Sequence, residues 1–471
     1  MTLKLARILP CVLLFALLIF PGCTTPHPQP VAIAIPFQHV EIGLCEDYPA
    51  GIATIENARR DFALLQTNHI RVLRIAFAWD SIETQPGQCN WTFWDSFVRI
   101  ATDEFGIRLI PYVCYTPRWN SSGNDTNYWR QPPRDLARFS DFMKQIVLRY
   151  KDRIHSWEIW NEPDNPEYWE GSIAQYADLL RAGSQAVRES DPTAKVVAGG
   201  LAWNLEFLHQ LLAVEHVGPA IDIVNLHSYY ETWSSDPVEA IAAHVRRAAA
   251  LIRESGNHQP IWLAEIGYSN YRKGDYISYS YSAHRPYEHS PEFQARTLAR
   301  AITSALATGE VKLIAWYRIH DLPATTQVIG DVNNRFLGVV DVTGRPKPAL
   351  KTLSFLQSLF TCDFRCLDSV VYETRTIASD AQAHVFERTN HELLAFTWLS
   401  IPMAQTNTES ESHENLTLLF PNRYPASARV FDQTGAPQGN VRLRTARSGT
   451  RLLDLNLREN EIRVYDLAPS R

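Results

Sequence analysis

No Cys-x-x-Cys and no His-Glu-x-x-His occurs in these 471 residues. Those spacings are how zinc and redox centres are most often written into a chain. Neither a metal nor any other cofactor is therefore expected. Positive charge is also in short supply, with 45 Lys and Arg against 51 Asp and Glu and a net charge of −6. Nucleic acid, which is held through a basic excess facing its phosphates, is excluded as a partner. Apolar runs of membrane-spanning length are missing as well. The stretch from Ile8 to Phe20 falls short of the roughly 20 residues a span needs.

With Lys4 and Arg7 in front of it, that stretch reads as the apolar centre of an export signal over residues 1–23. Pro21-Gly22-Cys23 resembles the end of a bacterial lipobox, although Phe20-Pro21 departs from the usual residues there. Lipidation of Cys23, plain cleavage and an uncleaved anchor all stay open. A lipid on Cys23 is the one membrane attachment expected. Pro26, Pro28 and Pro30 then predict an extended tether over residues 24–38. The expected location is outside the cytoplasm: periplasm, cell surface as a lipoprotein, or medium.

Cysteine is scarce. Of seven, Cys11 and Cys23 lie in or beside the export signal. The remaining five leave at least one thiol unpaired, and Cys114, inside the apolar run Leu109–Tyr115, is the natural buried one. Cys362 with Cys366, and Cys45 with Cys89, are candidate disulfides in an oxidising compartment.

Aromatics, by contrast, are plentiful, with 13 Trp and 19 Tyr. From Val40 onward, short apolar runs alternate with amphipathic segments of 3.6-residue period. The strand-like runs are Val40–Leu44, Arg71–Ala78, Arg108–Tyr115, His155–Trp160, Lys195–Leu201, Asp222–His227, Pro260–Ala264 and Lys312–Tyr317. Helical patterns at Asn57–Gln66, Leu136–Tyr150, Ile173–Glu189, Pro237–Glu254, Pro291–Thr308 and Pro348–Phe360 lie between or after them. Eight strands with helical crossovers predict a (β/α)8 barrel over residues 39–361, an open doubly wound sheet being the alternative. Beyond Cys362, short runs separated by polar turns predict an antiparallel β-sandwich over residues 362–471. Such a module either binds sugar or covers the barrel's flank; no aromatic platform stands out in it, which favours the second.

Two carboxylates carry the chemistry. The fourth strand-like run leads straight into Asn161-Glu162-Pro163, and the seventh, Ile261-Trp-Leu-Ala, closes on Glu265. Residues at the carboxyl ends of barrel strands surround the active site. An ionisable side chain closing an apolar strand is costly unless it faces a polar cavity. Either glutamate alone is more often a solvated or ion-paired side chain; the pair is the signal. Glu158, four residues before Glu162, is expected deeper in the barrel as a structural carboxylate.

This arrangement resembles glycoside hydrolase clan A, whose acid/base follows strand four in Asn-Glu-Pro and whose nucleophile follows strand seven. The resemblance spans about Val40 to Phe360. Trp157-Glu-Ile-Trp-Asn-Glu-Pro-Asp, Trp79-Asp-Ser-Ile-Glu83 with Pro86-Gly87, and Gly338-Val-Val-Asp with Arg345-Pro-Lys-Pro-Ala349 are most similar to family 39, which includes hydrolases of bacterial exopolysaccharides. Family 5 uses similar pieces. The resemblance implies a retaining, β-specific O-glycosyl hydrolase with Glu162 as acid/base and Glu265 as nucleophile. It further implies Arg74 beside the nucleophile and Asn161 on the sugar's 2-hydroxyl. Tyr229, in His227-Ser-Tyr229, would donate to Glu265, and Trp316 would form the floor under the sugar. His227 is either a sugar contact or a satisfied core histidine. On this reading Glu162 starts protonated because of the nearby Glu265 anion, and Arg74 holds Glu265 ionised.

Aromatics crowd the segments after the strands: Trp119, Tyr128 and Trp129; Tyr168 and Trp169; Tyr230 and Trp233; then Tyr268 to Tyr281. Several rings around one cleft favour a polysaccharide or oligosaccharide substrate, with Trp119 among its contacts. The Tyr268–Ser290 segment is a candidate lid. The chain is expected to act as a monomer. A transglycosylase on the same residues and a non-catalytic carbohydrate-binding lipoprotein are the competing readings.

Overall fold

The computed structural model describes residues 36–467 except 231, 235, 271–289, 329–331, 368–379, 401–412, 422–423, 425 and 460. The export signal, Cys23, nearly all of the tether, Val370–Glu373 and most of the Tyr268–Ser290 segment lie outside the described residues. Among the described residues, no helix is long and apolar enough to cross a membrane.

Eight parallel strands form the centre: β1 (Glu41–Glu46), β2 (Val72–Ala78), β3 (Arg108–Cys114), β4 (Ser156–Ile159), β5 (Lys195–Ala198), β6 (Val224–Ser228), β7 (Ile261–Ile266) and β8 (Val311–Tyr317). They pair in the order β5-β4-β3-β2-β1-β8-β7-β6. Single parallel bridges, Val197 to Ile223 and Leu201 to Leu226, close the ring between β5 and β6. The result is a (β/α)8 barrel. Its helices are α1 (Ile55–Thr67), α2 (Trp79–Ile82), α3 (Thr92–Arg99), α4 (Leu136–Tyr150), α5 (Ile173–Ser190), α6 (Leu205–His209), α7 (Ala240–Glu254), α8 (Pro291–Leu306) and α9 (Pro348–Leu359). Local chemistry starts them where the sequence suggests. Thr54, Asp135 and Ser290 accept from backbone N–H groups at the starts of α1, α4 and α8, and Ser172 with Gln175 makes a reciprocal capping box for α5.

Both faces of these strands are covered, so their sequences read as continuous apolar runs. Val72, Ile110, Val197, Ile223, Leu313 and Ala315 pack together as one buried cluster, while alternate residues such as Leu73, Ile75, Ile159 and Ile314 join the larger core shared with the helices.

The C-terminal strands are β9 (Phe364–Cys366), β10 (Ala381–Arg388), β11 (Leu393–Leu399), β12 (His413–Phe420), β13 (Ser427–Phe431), β14 (Pro437–Arg442), β15 (Arg444–Thr445), β16 (Arg451–Arg458) and β17 (Arg463–Leu467). They form two antiparallel sheets, β14-β13-β17-β11-β10-β9 and β12-β16-β15. The expected sandwich is there. Its strand β12 begins at His413, with polar residues ahead of its apolar half, residues 416–420. Strand β11 explains its own unbroken apolar run: Leu393, Ala395 and Leu399 fill the core between the sheets, whereas Leu394, Phe396 and Trp398 join the barrel's core. The junction is also polar at one point. Glu239, just before α7, accepts from Arg300 at 2.7 Å, Trp398 Nε1 at 2.6 Å and Ser400 at 2.7 Å. Burial opposes its charge, but Arg300 and the hydrogen bonds outweigh that and hold its carboxyl down at about 2. Barrel and sandwich together form one compact unit.

Neither candidate disulfide forms. The Cys45 thiol is buried with the barrel-interior cluster and donates to the carbonyl of Ala264 at 3.0 Å, out of reach of Cys89, which lies against Gln145 on α4. Cys114 is buried, as expected.

Candidate active site

The carboxyl ends of the barrel strands open into a cleft of about 970 Å³, lined among others by Asn161, Glu162, His227, Tyr229 and Glu265. Strand β4 delivers Glu162 by breaking its own regularity. Trp160 and Glu162 both have positive φ, 75° and 44°, a region costing non-glycine residues about 1–3 kcal/mol each. Backbone bonds hold the turn: Glu162 N–H donates to Gly200 O at 2.9 Å, and Asn165 N–H to Glu162 O at 3.0 Å. Asn165 Nδ2 also donates to Glu162 Oε2 at 2.8 Å. Strand β7 delivers Glu265 through a register shift between Leu263 and Ile266. A bulge of this kind re-aims a side chain that strict alternation would turn outward.

Arg74 is the centre of the buried polar layer. Its Nε and Nη2 donate to both oxygens of Glu158 at 2.8 Å, Nη2 also reaches Asn161 Oδ1 at 2.8 Å, and Nη1 donates to Glu265 Oε2 at 2.6 Å. Glu158 is fully buried and accepts further from Gly200 N–H and Asn225 Nδ2, at 2.9 and 3.0 Å. It is the structural carboxylate expected from its depth. Tyr229 donates to Glu265 Oε1 at 2.5 Å, so both oxygens of Glu265 face a donor. With its Oδ1 taken by Arg74, Asn161 has its amide N–H to offer.

His227 is buried and lines the cleft. Its Nδ1 is hydrogen-bonded to Glu162 Oε1 at 2.9 Å and lies 3.8 Å from Glu265 Oε2, so the ring sits beside both carboxyls. Gly200 makes room for it: a Cβ there would fall 2.0 Å from Nε2. Burial works against the imidazolium, but the Glu265 and Glu162 carboxyls outweigh it and raise its pKa. The Glu162 pKa is raised too, chiefly by burial; His227 pulls it back and the Glu265 anion adds a smaller push upward. The direction agrees with sequence reading, while the main cause is burial rather than the neighbouring charge.

One donor atom each from Glu162, His227 and Glu265 lies within 4.8 Å of the others, the only such group among the described residues with metal-ligand spacing. Arg74 and Tyr229 already donate to both Glu265 oxygens, and a guanidinium 2.6 Å away opposes a cation. The set suits proton transfer and nucleophilic attack by a carboxylate better than an ion.

Two expected contacts fall elsewhere. Trp316 is buried in the core shared with the helices, and the cleft floor is formed instead by Tyr317, whose hydroxyl donates to Asp47 at 2.9 Å. Successive strand residues point to opposite faces, so Tyr317 and not Trp316 is turned to the cleft. Trp119 packs edge-on against Trp79 and donates to Glu83 O at 2.8 Å, and does not line the cleft. Tyr168, Tyr230 and Trp233 do line it. Sequence reading missed Asp47, which also accepts from Tyr112 at 2.8 Å, and Asp80. Burial pushes the Asp80 carboxyl up to about 6. Asp80 closes an apolar run, the signal that had singled out Glu265, whereas Asp47 stands one residue beyond Glu46, which closes its own.

Residues 43–420 match the family model described as glycosyl hydrolases family 39. The chain is 24% identical over 401 residues to a β-xylosidase of Geobacillus stearothermophilus, covering 74% of this chain and 71% of that one. Its fold is similar to a monomeric β-xylosidase from Caulobacter crescentus CB15, with a TM-score of 0.62, 19% identity and coverage of 93% and 98%. A family 39 glycoside hydrolase from Bacteroides cellulosilyticus WH2 also superposes with a TM-score of 0.62, at 14% identity over 92% of this chain and 81% of that one.

Proposed function

The chain belongs to glycosyl hydrolase family 39 and is a glycoside hydrolase; from that premise we propose that it cleaves β-linked neutral oligosaccharides or polysaccharides with retention of configuration. Glu162 is the acid/base and Glu265 the nucleophile. The observation that carries this reading is that Glu162 and Glu265 face the same cleft with an oxygen of one within 4.8 Å of an oxygen of the other. Retaining enzymes keep them about 5–5.5 Å apart, whereas inverting ones leave about 6.5–9.5 Å for a water.

In the first step Glu265 attacks the anomeric carbon and forms an ester, while Glu162 gives its proton to the leaving oxygen. The raised pKa of Glu162 supports that starting state. In the second step Glu162, now a carboxylate, takes a proton from water as the water's oxygen bonds to the anomeric carbon, and the bond to Glu265 breaks to free its carboxylate. Arg74 and Tyr229 orient Glu265 along the attack line, and the Asn161 amide meets the 2-hydroxyl. Glu158 fixes the guanidinium that fixes Glu265.

Neutral sugars are favoured by the cleft's charge. Among the described lining residues stand Asp47, Asp80, Glu162, Glu167, Asp236 and Glu265 against one guanidinium, Arg318, itself paired with Glu46. A uronic acid would meet repulsion on most sides. The Geobacillus β-xylosidase makes pentose substrates the first to try. The test is turnover of xylotetraose, mannotetraose and cellotetraose, with the first-formed anomer read by NMR. Glu162→Gln and Glu265→Gln are each expected to lower kcat by at least about 10²–10⁴-fold with unfolding curves unchanged. Near-normal turnover in either variant, or an inverted first product, would overturn the assignment.

A further inference from the structure

Trp203 carries an indole ring that is 57% exposed. Of the exposed large apolar side chains among the described residues, it alone lines the cleft. Leaving so large a ring in water forgoes burial worth about 1.5–3 kcal/mol, so its position calls for a cause. The backbone beneath it is anything but loose. Asp164 Oδ1 accepts from Ala202 N–H at 2.9 Å, and its Oδ2 accepts from Trp203 and Asn204 N–H at 3.1 and 2.9 Å. Asn204 in turn caps α6 by accepting from Phe207 N–H at 3.1 Å. Three consecutive backbone donors on one carboxylate fix the loop that follows β5, and that carboxylate stands two residues beyond Glu162.

The attachment tells which part of a substrate the ring meets. An acid that protonates the glycosidic oxygen has the leaving group on its own side of the bond. Gly200 O binds Glu162 N–H at 2.9 Å, so the exit of β5 runs beside Glu162, and Trp203 follows three residues later. We propose that Trp203 is the stacking platform for the leaving-group sugar and that Asp164 is the positioning residue that holds it there. The apolar C–H face of a pyranose lies on the indole, and the sugar's hydroxyls stay directed to water and to the polar wall. This deepens the hydrolase reading and rests on it.

The test compares two probes on the wild type, Trp203→Ala and Trp203→Phe: the tetraose that the wild type turns over best, and the glycosyl fluoride of the same sugar, whose leaving group has no ring to stack. Trp203→Ala is expected to lower kcat/KM on the tetraose about tenfold or more, chiefly through KM, with a loss on the fluoride at least several-fold smaller. Trp203→Phe should recover most of the difference. Asp164→Asn, which loosens the clamp, should shift the two probes apart in the same sense. A ring needed only for folding would depress both probes equally, and that result overturns the platform. So does an unchanged ratio. A wild type inert on both probes overturns the hydrolase reading and the leaving-group assignment with it, whereas a normal wild type with an unmoved ratio overturns this inference alone.

Discussion

Asp80 shows how one side chain can link cleft chemistry to stability. Its carboxyl stands at about 6 because burial penalises the anion, while its ordinary value is 3.8. The folded protein therefore holds that proton more tightly than the unfolded chain. Stability contributed by this group is greatest below about pH 4, declines as pH rises toward 6, and is level above it. Asp80→Asn removes the penalty and should leave stability unchanged near pH 4 while raising it by about 2 kcal/mol above pH 6, allowing for screening at its solvent edge. Denaturant unfolding of both proteins between pH 4 and 8 checks this. Parallel profiles would mean that the carboxyl is already well hydrated. The residue scale is also where sequence reading met its limit. A carboxylate closing an apolar strand identified Glu265 and could equally have found Asp80, while Asp47 is hidden behind Glu46. Which member of Trp316-Tyr317 enters the cleft was not legible, because a strand buried on both faces carries no polar alternation to mark its sides.

Elements were more legible than residues. Every barrel strand was anticipated to within two or three residues, since eight apolar runs separated by helical periods leave few other arrangements. Strand β9 and helices α2, α3 and α6 went unread. The strand is three residues long, and the helices, of four, eight and five residues, are too short to show a helical period clearly. The bulge in β7 was likewise hidden, although it decides where Glu265 points. The β5 exit offers a test at this scale. A Cβ on Gly200 would meet His227 Nε2 at 2.0 Å and Asn225 Nδ2 at 2.8 Å. Gly200→Ala should therefore push the imidazole off Glu162, lowering kcat by about 100-fold or more and destabilising the fold by about 1–3 kcal/mol. Activity within twofold of wild type would show that the ring can shift at no cost.

At the scale of the whole molecule, the sandwich is built onto the barrel rather than tethered to it. Phe396 stacks on Phe360 with ring centroids 6.0 Å apart and an interplanar angle of 13°, and Trp398 reaches Glu239 beside α7. Phe396→Ala should cost about 3–5 kcal/mol, and calorimetry should still record one transition. Two separated transitions would show that barrel and sandwich unfold independently. The Asp164 clamp carries a consequence of another kind. Because the loop that presents Trp203 hangs from the turn that presents Glu162, binding preference and proton transfer are mechanically joined. An engineer who swaps the β5 loop to change specificity must transplant the acid/base turn as well, or accept a displaced proton donor.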